Sequence, residues 1–494
     1  MRTSVITLFS VIIIATTAVE AADRPNVVIV LTDDQGYGDF SCHGNPEVKI
    51  PNIDALHAQS IRLMDFHVSP MCTPTRGQLI SGRDALDNGA MNVSSGRAML
   101  RRGVPTMADL FAAAGYKTGM FGKWHLGDVY PYRPIDRGFQ TAVTFPSSHV
   151  GSAADEWCND YFDDVYEVDG RRKRLKGYCT DVFFDQAIGW IRDRARAGEP
   201  FLAYIPTNAA HAPLWVPDKY REPYRHLPKN LASFFAMIAN VDENMGRLET
   251  ALKEAGVLDD TILIFLTDNG GTAGVKFYNA GMKGGKVTLY EGGHRVPCFL
   301  RWPSGGLRAP GDVDEPTQCQ DLLPTLVDFC GLRPPADSSF DGTSLAARLR
   351  GEQAALPDRM MVVQFSRMNG PAPKEGDAAV IWGRWRLVDN AELYDVKADP
   401  GQRKDVAGEH PEVVARMREH YSRWWADVAP KVNEPSRIPI GVESQGPTRL
   451  SACDWRDVFL DQQKQVRQGI RRNAPWCVEV ARSGDYEFEL RRWP

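Results

Sequence analysis

NVVIVLTDD (26–34) and TILIFLTDN (261–269) are the stretches that decide the fold. Each opens with a short, almost wholly apolar, β-branched run, as a parallel strand buried on both faces requires. Between and beyond them strand and helix patterns alternate. TMADLFAAAGY (106–116) has Thr106 and Asp109 spaced as a capping box and Gly115 as a stop. KTGMFG and FLAYIP (201–206) read as strands, while DVFFDQAIGWIRDRA (181–195), the long run at 231–256 and CQDLLPTLVDFCG (319–331) read as helices. This is an α/β pattern: a large, mostly parallel sheet sandwiched by helices.

The texture changes after about residue 350. RMMVVQFS, AAVIWGRWRLV and AELYDV read as short antiparallel strands, and 411–428 as a helix. The organisation expected is therefore a main domain over 23–350, a smaller α+β subdomain over 351–430 and an extension over 431–494. The last stretch, CVEVARSGDYEFELRRWP, reads as two strands without further partners. Residues 1–22 carry Arg2, an apolar run and small residues before a cut after Ala21 or Ala22, the layout of a secretory signal peptide. The run is too short for a membrane span and no later stretch approaches that length, so no stable membrane anchor is expected. The protein is expected to be exported, periplasmic or extracellular.

A net charge of -5 leaves no basic footprint for nucleic acid. The run RRKR (171–174) reads as solvated loop. Export permits disulfides, and nine cysteines leave at least one thiol over. Local spacing suggests Cys158–Cys179 and Cys453–Cys477 as pairs, with Cys298, Cys319 and Cys330 as buried thiols.

Both deciding strands run into oxygen ligands, Asp33–Asp34 and Asp268–Asn269. In an open α/β sheet ligands sit beyond the carboxyl ends of the strands, so the two pairs converge on one point. One such pair alone is read more simply as loop caps; two matching pairs point to a cation. An all-oxygen set suits hard Ca²⁺, or less well Mg²⁺, rather than zinc. FGKWHLG brings Lys123 and His125, PTNAAHAPLWVP brings His211, and GMKGGKVTLYEGG brings Lys283 and Lys286. Together these supply donors for a tetrahedral oxyanion and a histidine that exchanges protons near neutral pH. Cys72, in SPMCTPTRGQLISGR (69–83), stands at a helix start, where a thiolate nucleophile is one reading. Thiolate is a poor partner for an all-oxygen cation site, so that reading fits badly.

CTPTR followed by LISGR resembles the signature of the type I sulfatases, in which a cysteine is oxidised to formylglycine. LTDDQGYGD, GKWHLG, NAAHAPLWVP, LTDNGG and KVTLYEGG match further blocks of that family in order. The resemblance runs from about 25 to 430 and implies an alkaline-phosphatase-like fold. It also implies Ca²⁺ held by Asp33, Asp34, Asp268 and Asn269 with modified Cys72, and Arg76 holding the formylglycine hydrate. Lys123, His125, His211 and Lys286 become the sulfate-binding and proton-transfer set. Lys286 is chosen over Lys283 by its spacing from Glu291. Thr73 and Thr75 stand where smaller residues are frequent in the family.

The implied activity is hydrolysis of a sulfate monoester of a sugar or aryl alcohol, after a formylglycine-generating enzyme has acted on Cys72. A phosphomonoester or phosphonate-ester hydrolase, or a sulfated-glycan-binding protein without catalysis, are the other readings. Two segments outside the shared blocks, 147–164 and 213–226, are candidates to select the substrate through His149, Trp157, Tyr161, Trp215 or His226. The tail resembles the opening of a β-domain: either the chain is truncated there or the tail docks onto the body.

Overall fold

The computed structural model describes residues 24–366, 370 and 372–491; the signal-peptide reading lies outside them. A ten-stranded sheet organises the molecule. Its centre holds five parallel strands: β1 (Asn26–Thr32), β2 (Lys117–Lys123), β3 (Thr141–Phe145), β4 (Phe201–Pro206) and β5 (Thr261–Thr267), in spatial order β5-β1-β4-β2-β3. Strand Cys298–Arg301 adds antiparallel to β5, and Val165–Val168 antiparallel to β3. The flanking helices are α1 (Pro51–Ala58), α2 (Cys72–Ser81), α3 (Met107–Ala113), α4 (Cys179–Ala197), α5 (Lys229–Glu254) and α6 (Leu322–Cys330).

Every residue of β1 and β5 is buried, because both faces are covered. Val28 and Val30 pack under α1, α4 and α5, while Val27, Ile29 and Leu31 pack under α2, α3 and α6. Each such side chain contributes about 1.5–3 kcal/mol through removal from water. Strand–helix alternation thus yields the expected large, mostly parallel sheet between two helical layers. The α3 start has the expected capping box: Thr106 Oγ1 accepts from Asp109 N at 3.0 Å, and Asp109 Oδ2 accepts from Thr106 N at 2.9 Å.

A separate four-stranded antiparallel sheet spans Met360–Gln364, Ala378–Trp382, Trp385–Val388 and Glu392–Asp395, with α7 (Pro411–Val432) packed on it. Arg386 from this sheet reaches Glu291 at 2.7 Å and Asp65 at 2.8 Å, both in the main body. The small sheet therefore braces the segment that follows Lys286.

Several expectations are corrected. RRKR is an exposed edge strand paired with Val165–Val168, since a run of four charged, exposed residues tolerates a solvated sheet edge. The final stretch forms one short strand, Val478–Val480, which has a partner, Ile438–Ile440, in parallel. The extension docks: Arg97 meets Asp457 at 2.7 Å, and Ala153 N donates to Asp461 O at 2.8 Å. All nine cysteines are free. Cys158 is exposed while Cys179 is buried at the start of α4 with its thiol 3.3 Å from Asn208 Oδ1. Cys453 is likewise buried and Cys477 half-buried, unpaired. Sequence spacing does not set the Cβ geometry that a disulfide needs. Among the described residues no helix is long and apolar enough to cross a membrane.

Candidate active site

β1, β2, β4 and β5 are parallel, so their carboxyl ends open on one edge of the sheet, where they deliver Asp33–Asp34, Lys123–His125, His211 and Asp268–Asn269. Backbone bonds carry the alignment past the strand ends: Asp33 N to Ala209 O at 2.8 Å, and Asp268 N to Thr32 O at 3.0 Å. Two glycines permit the close approach. A Cβ on Gly122 (φ +138°) would fall 1.8 Å from Pro206 O, and one on Gly270 would fall 1.9 Å from Gly292 O. The second contact presses the loop after β5 against the segment that carries Lys286.

The floor is a dense, sealed charge network. Arg76, on α2, donates to Asp268 Oδ2 through Nε (3.1 Å) and Nη2 (2.6 Å), and to Lys123 O through Nη1 (2.9 Å). Lys123 Nζ lies 2.5 Å from Asp33 Oδ2, Lys286 contacts Asp34, and Asn269 Nδ2 donates to Asp34 Oδ1 at 2.9 Å. Burial alone would raise the Asp33 carboxyl, but Lys123, His211, Arg76 and Lys286 hold it well below the usual range. Burial, then the Asp33 charge, push Asp268 the other way. The left-handed backbone at Asp34 and His125 (φ 60° for each) costs of order 1–3 kcal/mol per residue, which the surrounding bonds offset.

Two oxygens in this cluster stand out. Asp33 Oδ1 and Asn269 Oδ1 are buried without a hydrogen-bond partner. Such a group costs about 1–3 kcal/mol unless something satisfies it. Donor atoms of Asp33, Cys72 and Asp268 lie within 4.8 Å of one another, as do those of Asp33, Asp34 and His211. A hard cation fits this oxygen-rich set and would draw Asp268 back toward its ordinary ionised state.

Cys72 is the first residue of α2 and is 2% exposed. Burial raises its thiol despite the nearby Lys123 and Lys286. As a thiol it is protonated and a weak nucleophile, which removes the thiolate reading.

The histidines are poised differently. His125 Nε2 lies 2.7 Å from the Val93 carbonyl, which accepts the ring proton there and leaves Nδ1 with a free lone pair, buried and unpartnered. Burial and then Lys123 keep this ring neutral, well below the ordinary histidine value. His211 donates through Nδ1 to Ala212 O at 2.6 Å and turns Nε2 toward Asp34, 3.9 Å away. Burial lowers it too, against the pull of Asp34.

The sulfatase family model matches residues 25–332 of the chain. The chain belongs to the sulfatase family. Sulfatases hydrolyse sulfate esters, and this protein is an enzyme of that class. It is 30% identical over 456 residues to arylsulfatase A of Homo sapiens, covering 81% of this chain and 87% of the relative. It is 29% identical over 370 residues to N-acetylgalactosamine-6-sulfatase of Mus musculus, 69% of either chain. Among solved structures, Ps i-CgsB in complex with k-i-k-neocarrahexaose superposes with a TM-score of 0.73 at 25% identity, covering 84% of this chain and 94% of that one.

In this sulfatase Lys283 is held elsewhere, its Nζ 3.8 Å over the Tyr290 ring and 3.1 Å from Tyr394 Oη, whereas Lys286 faces Asp34. His149 is buried and its ring stacks on His211 with centroids 5.5 Å apart. Trp215 packs edge-on against Tyr161, whose hydroxyl donates to His211 O at 3.3 Å. His226 pairs with Glu47 at 3.1 Å, and Trp157 lies under Arg467; neither joins the charge network. Sequence reading missed Ser148 and Asp461. Ser148 Oγ lies 2.7 Å from His149 Nδ1 and 3.3 Å from Asp461 Oδ2, so the docked extension reaches the wall of the site. Nothing local to residue 461 marks it.

Proposed function

We propose that this sulfatase is exported and removes sulfate from a sugar or aryl monoester, with Cys72 converted to formylglycine and Ca²⁺ held by Asp33, Asp34, Asp268 and Asn269. The observation that carries the reading is the pair of orphaned oxygens, Asp33 Oδ1 and Asn269 Oδ1, beside a buried, protonated Cys72. A thiol serves no purpose there, while a hydrated aldehyde at the same carbon offers two hydroxyl oxygens to an oxygen site. When bound, the cation and the hydrate supply an activated hydroxyl nucleophile and polarise the sulfuryl oxygens.

The protein's own groups do the rest. Arg76, locked by three bonds, presents a fixed guanidinium to the hydrate. Lys123 and Lys286 balance charge on the sulfuryl oxygens. His125, neutral and with Nδ1 open, takes a proton from a hydroxyl. His211, at the rim with its side chain 19% exposed, returns a proton to the departing alcohol. Trp215 (48% exposed), packed on the Tyr161 that bonds His211 O, offers an aromatic face for an aryl ring or the apolar face of a sugar, and Phe162 (40% exposed) lies against Tyr178. The names of the relatives, an arylsulfatase and a sulfatase of N-acetylgalactosamine, and the oligosaccharide bound to Ps i-CgsB support both alcohol classes.

Two measurements test the reading. Mass analysis of the 69–83 peptide from the exported protein should show a loss of about 18 Da relative to cysteine. The sulfate ester of one alcohol should turn over far faster than its phosphate ester. Preference for phosphate would overturn the substrate class, and an unmodified thiol with full activity would overturn the formylglycine step. No turnover from modified protein would favour a glycan-binding role.

A further inference from the structure

Behind the floor, the chain leaves Asp33–Asp34 through two short turns, Tyr37–Asp39 and Ser41–His43, and then enters α1. Cys42 and His43 end the second turn and His57 lies in the last turn of α1. Donor atoms of these three residues lie within 4.8 Å of one another, and each residue is half-buried, so an ion can reach them. We propose that Cys42, His43 and His57 form a second metal site, selective for a borderline transition metal such as Zn²⁺.

The chemistry of each donor supports this. His43 Nδ1 lies 2.9 Å from Tyr37 O, a carbonyl that only an N–H can satisfy. The ring proton is therefore on Nδ1, and Nε2 keeps its lone pair; that atom is buried and has no hydrogen-bond partner. The two imidazoles meet edge to face with centroids 5.8 Å apart. Phe299 packs on both rings (5.9 and 5.1 Å), and Tyr37 stacks on His43 at 3.8 Å, fixing ring orientation and excluding water from one side.

Asp54 orients the cysteine by accepting from Cys42 N at 3.0 Å, while its other oxygen accepts from Ser41 Oγ at 2.7 Å. The charges that face the cluster nearly balance: Asp54 and Asp312 against Arg62 and Arg295. One thiol and two imidazoles suit zinc and not the hard cation expected at Asp33. Three ligands leave a fourth position for water. Binding converts Cys–SH and the aqueous ion into a metal–thiolate bond with release of one proton, so no oxidant is involved.

A contrast comes from the neighbouring trio His67, Glu291 and His294, which also converges. There the donors are spent on each other: His67 Nδ1 and His294 Nδ1 lie 3.0 Å apart, and Arg386 holds Glu291 at 2.7 Å. Glu291 Oε2 lacks a hydrogen bond but lies 3.5 Å from Arg295 Nη1 in an ion pair, so that cluster is already tied up by protein groups. The one at Cys42 is not.

Cobalt is the probe. The reduced, Ca²⁺-loaded full-length protein is titrated with Co²⁺ at neutral pH, followed in the near-ultraviolet and visible. One equivalent should give a thiolate-to-cobalt charge-transfer band with tetrahedral d–d bands, displaced by Zn²⁺. Cys42→Ser should abolish the charge-transfer band, and His57→Gln should weaken Co²⁺ binding at least tenfold. Both variants should keep wild-type turnover, which shows that they fold. Cys72→Ser should retain the spectrum, since the other thiol-containing cluster lies at Asp33 and Asp268. Zn²⁺ should raise the melting midpoint of wild type but not of Cys42→Ser. Absence of a cobalt spectrum in wild type, its survival in Cys42→Ser, or its loss in Cys72→Ser alone would overturn the site.

Discussion

At the floor of the active site Asp33, Arg76, Lys123 and Asp268 are sealed from solvent, and each charge meets an opposite one. At the rim Trp215 and Phe162 are 48% and 40% exposed, and His149 is held by one serine and a stacked ring. The floor is assembled from strand ends whose positions follow from the sheet. The rim is assembled from the 147–164 segment, the 211–215 turn and a docked extension, which the sheet does not align. Chemistry common to a reaction class belongs on the first, and choice of substrate on the second.

The comparison breaks most visibly at Arg76. Arg76→Ala leaves Asp33 and Asp268 facing one another without their shared partner, and removing one member of a buried pair costs about 3–5 kcal/mol. Turnover should fall by at least about a thousandfold, and the melting midpoint should drop sharply. Trp215→Ala should melt like wild type and raise KM while kcat holds. If Arg76→Ala melts normally, the floor is not the rigid half.

A finer cut separates two lysines in one loop. Lys286→Ala should lower kcat about a hundredfold or more, since Lys286 faces Asp34. Lys283→Ala should keep kcat within a few fold and cost about 1 kcal/mol of stability, because its ammonium sits over Tyr290. Equal kinetic losses would erase the distinction.

These lysines also show what sequence can reveal. The family resemblance, through its spacing before Glu291, picks out Lys286 but says nothing of where Lys283 goes, because Tyr394 belongs to the other sheet. Asp33, Asp34, Asp268 and Asn269 are legible because a doubly buried strand must be a continuous apolar run and must end where the sheet ends. Asp461 is not legible: its bond to Ser148 spans 313 residues of chain and rests on how the extension docks. The same holds for Cys158 and Cys179, whose separation in sequence hides that one is exposed and the other faces Asn208.

The pH profile tests how far the rim takes part in chemistry. His125 must be neutral to act as base, and burial holds it well below the ordinary value, so it sets no limit near neutrality. His211 must carry a proton to act as acid, and its value is lowered as well. The rate on a sugar sulfate should therefore fall as pH rises through a value below about 6.5, the ordinary histidine value, and be already reduced at neutrality. An aryl sulfate with a good leaving group should lose most of that fall, needing no proton. A flat profile to pH 8 on a sugar sulfate would remove His211 from proton transfer.

The smallest effect is expected at Asp461, where floor and rim meet. Ionised Asp461 accepts the Ser148 proton, Ser148 Oγ then accepts from His149 Nδ1–H, and His149 Nε2 is left as an acceptor. Asp461→Asn lets the side-chain amide donate to Ser148 instead, which reverses the serine proton and turns His149 Nε2 into a donor. KM for a hydroxyl-bearing sugar sulfate should rise about fivefold, one hydrogen bond's worth, with kcat little changed. Stability should move the opposite way. Burial lifts the Asp461 carboxyl to about 6, against the pull of Ser148 and Lys123. A carboxyl raised on folding favours the folded state fully below its unfolded value, and that contribution is lost as pH rises through about 6. Asparagine has no charge to bury, so Asp461→Asn should melt higher than wild type above pH 6, and the gap should close below pH 4. A variant less stable at every pH, with unchanged KM, would make Asp461 a mere strut for the extension.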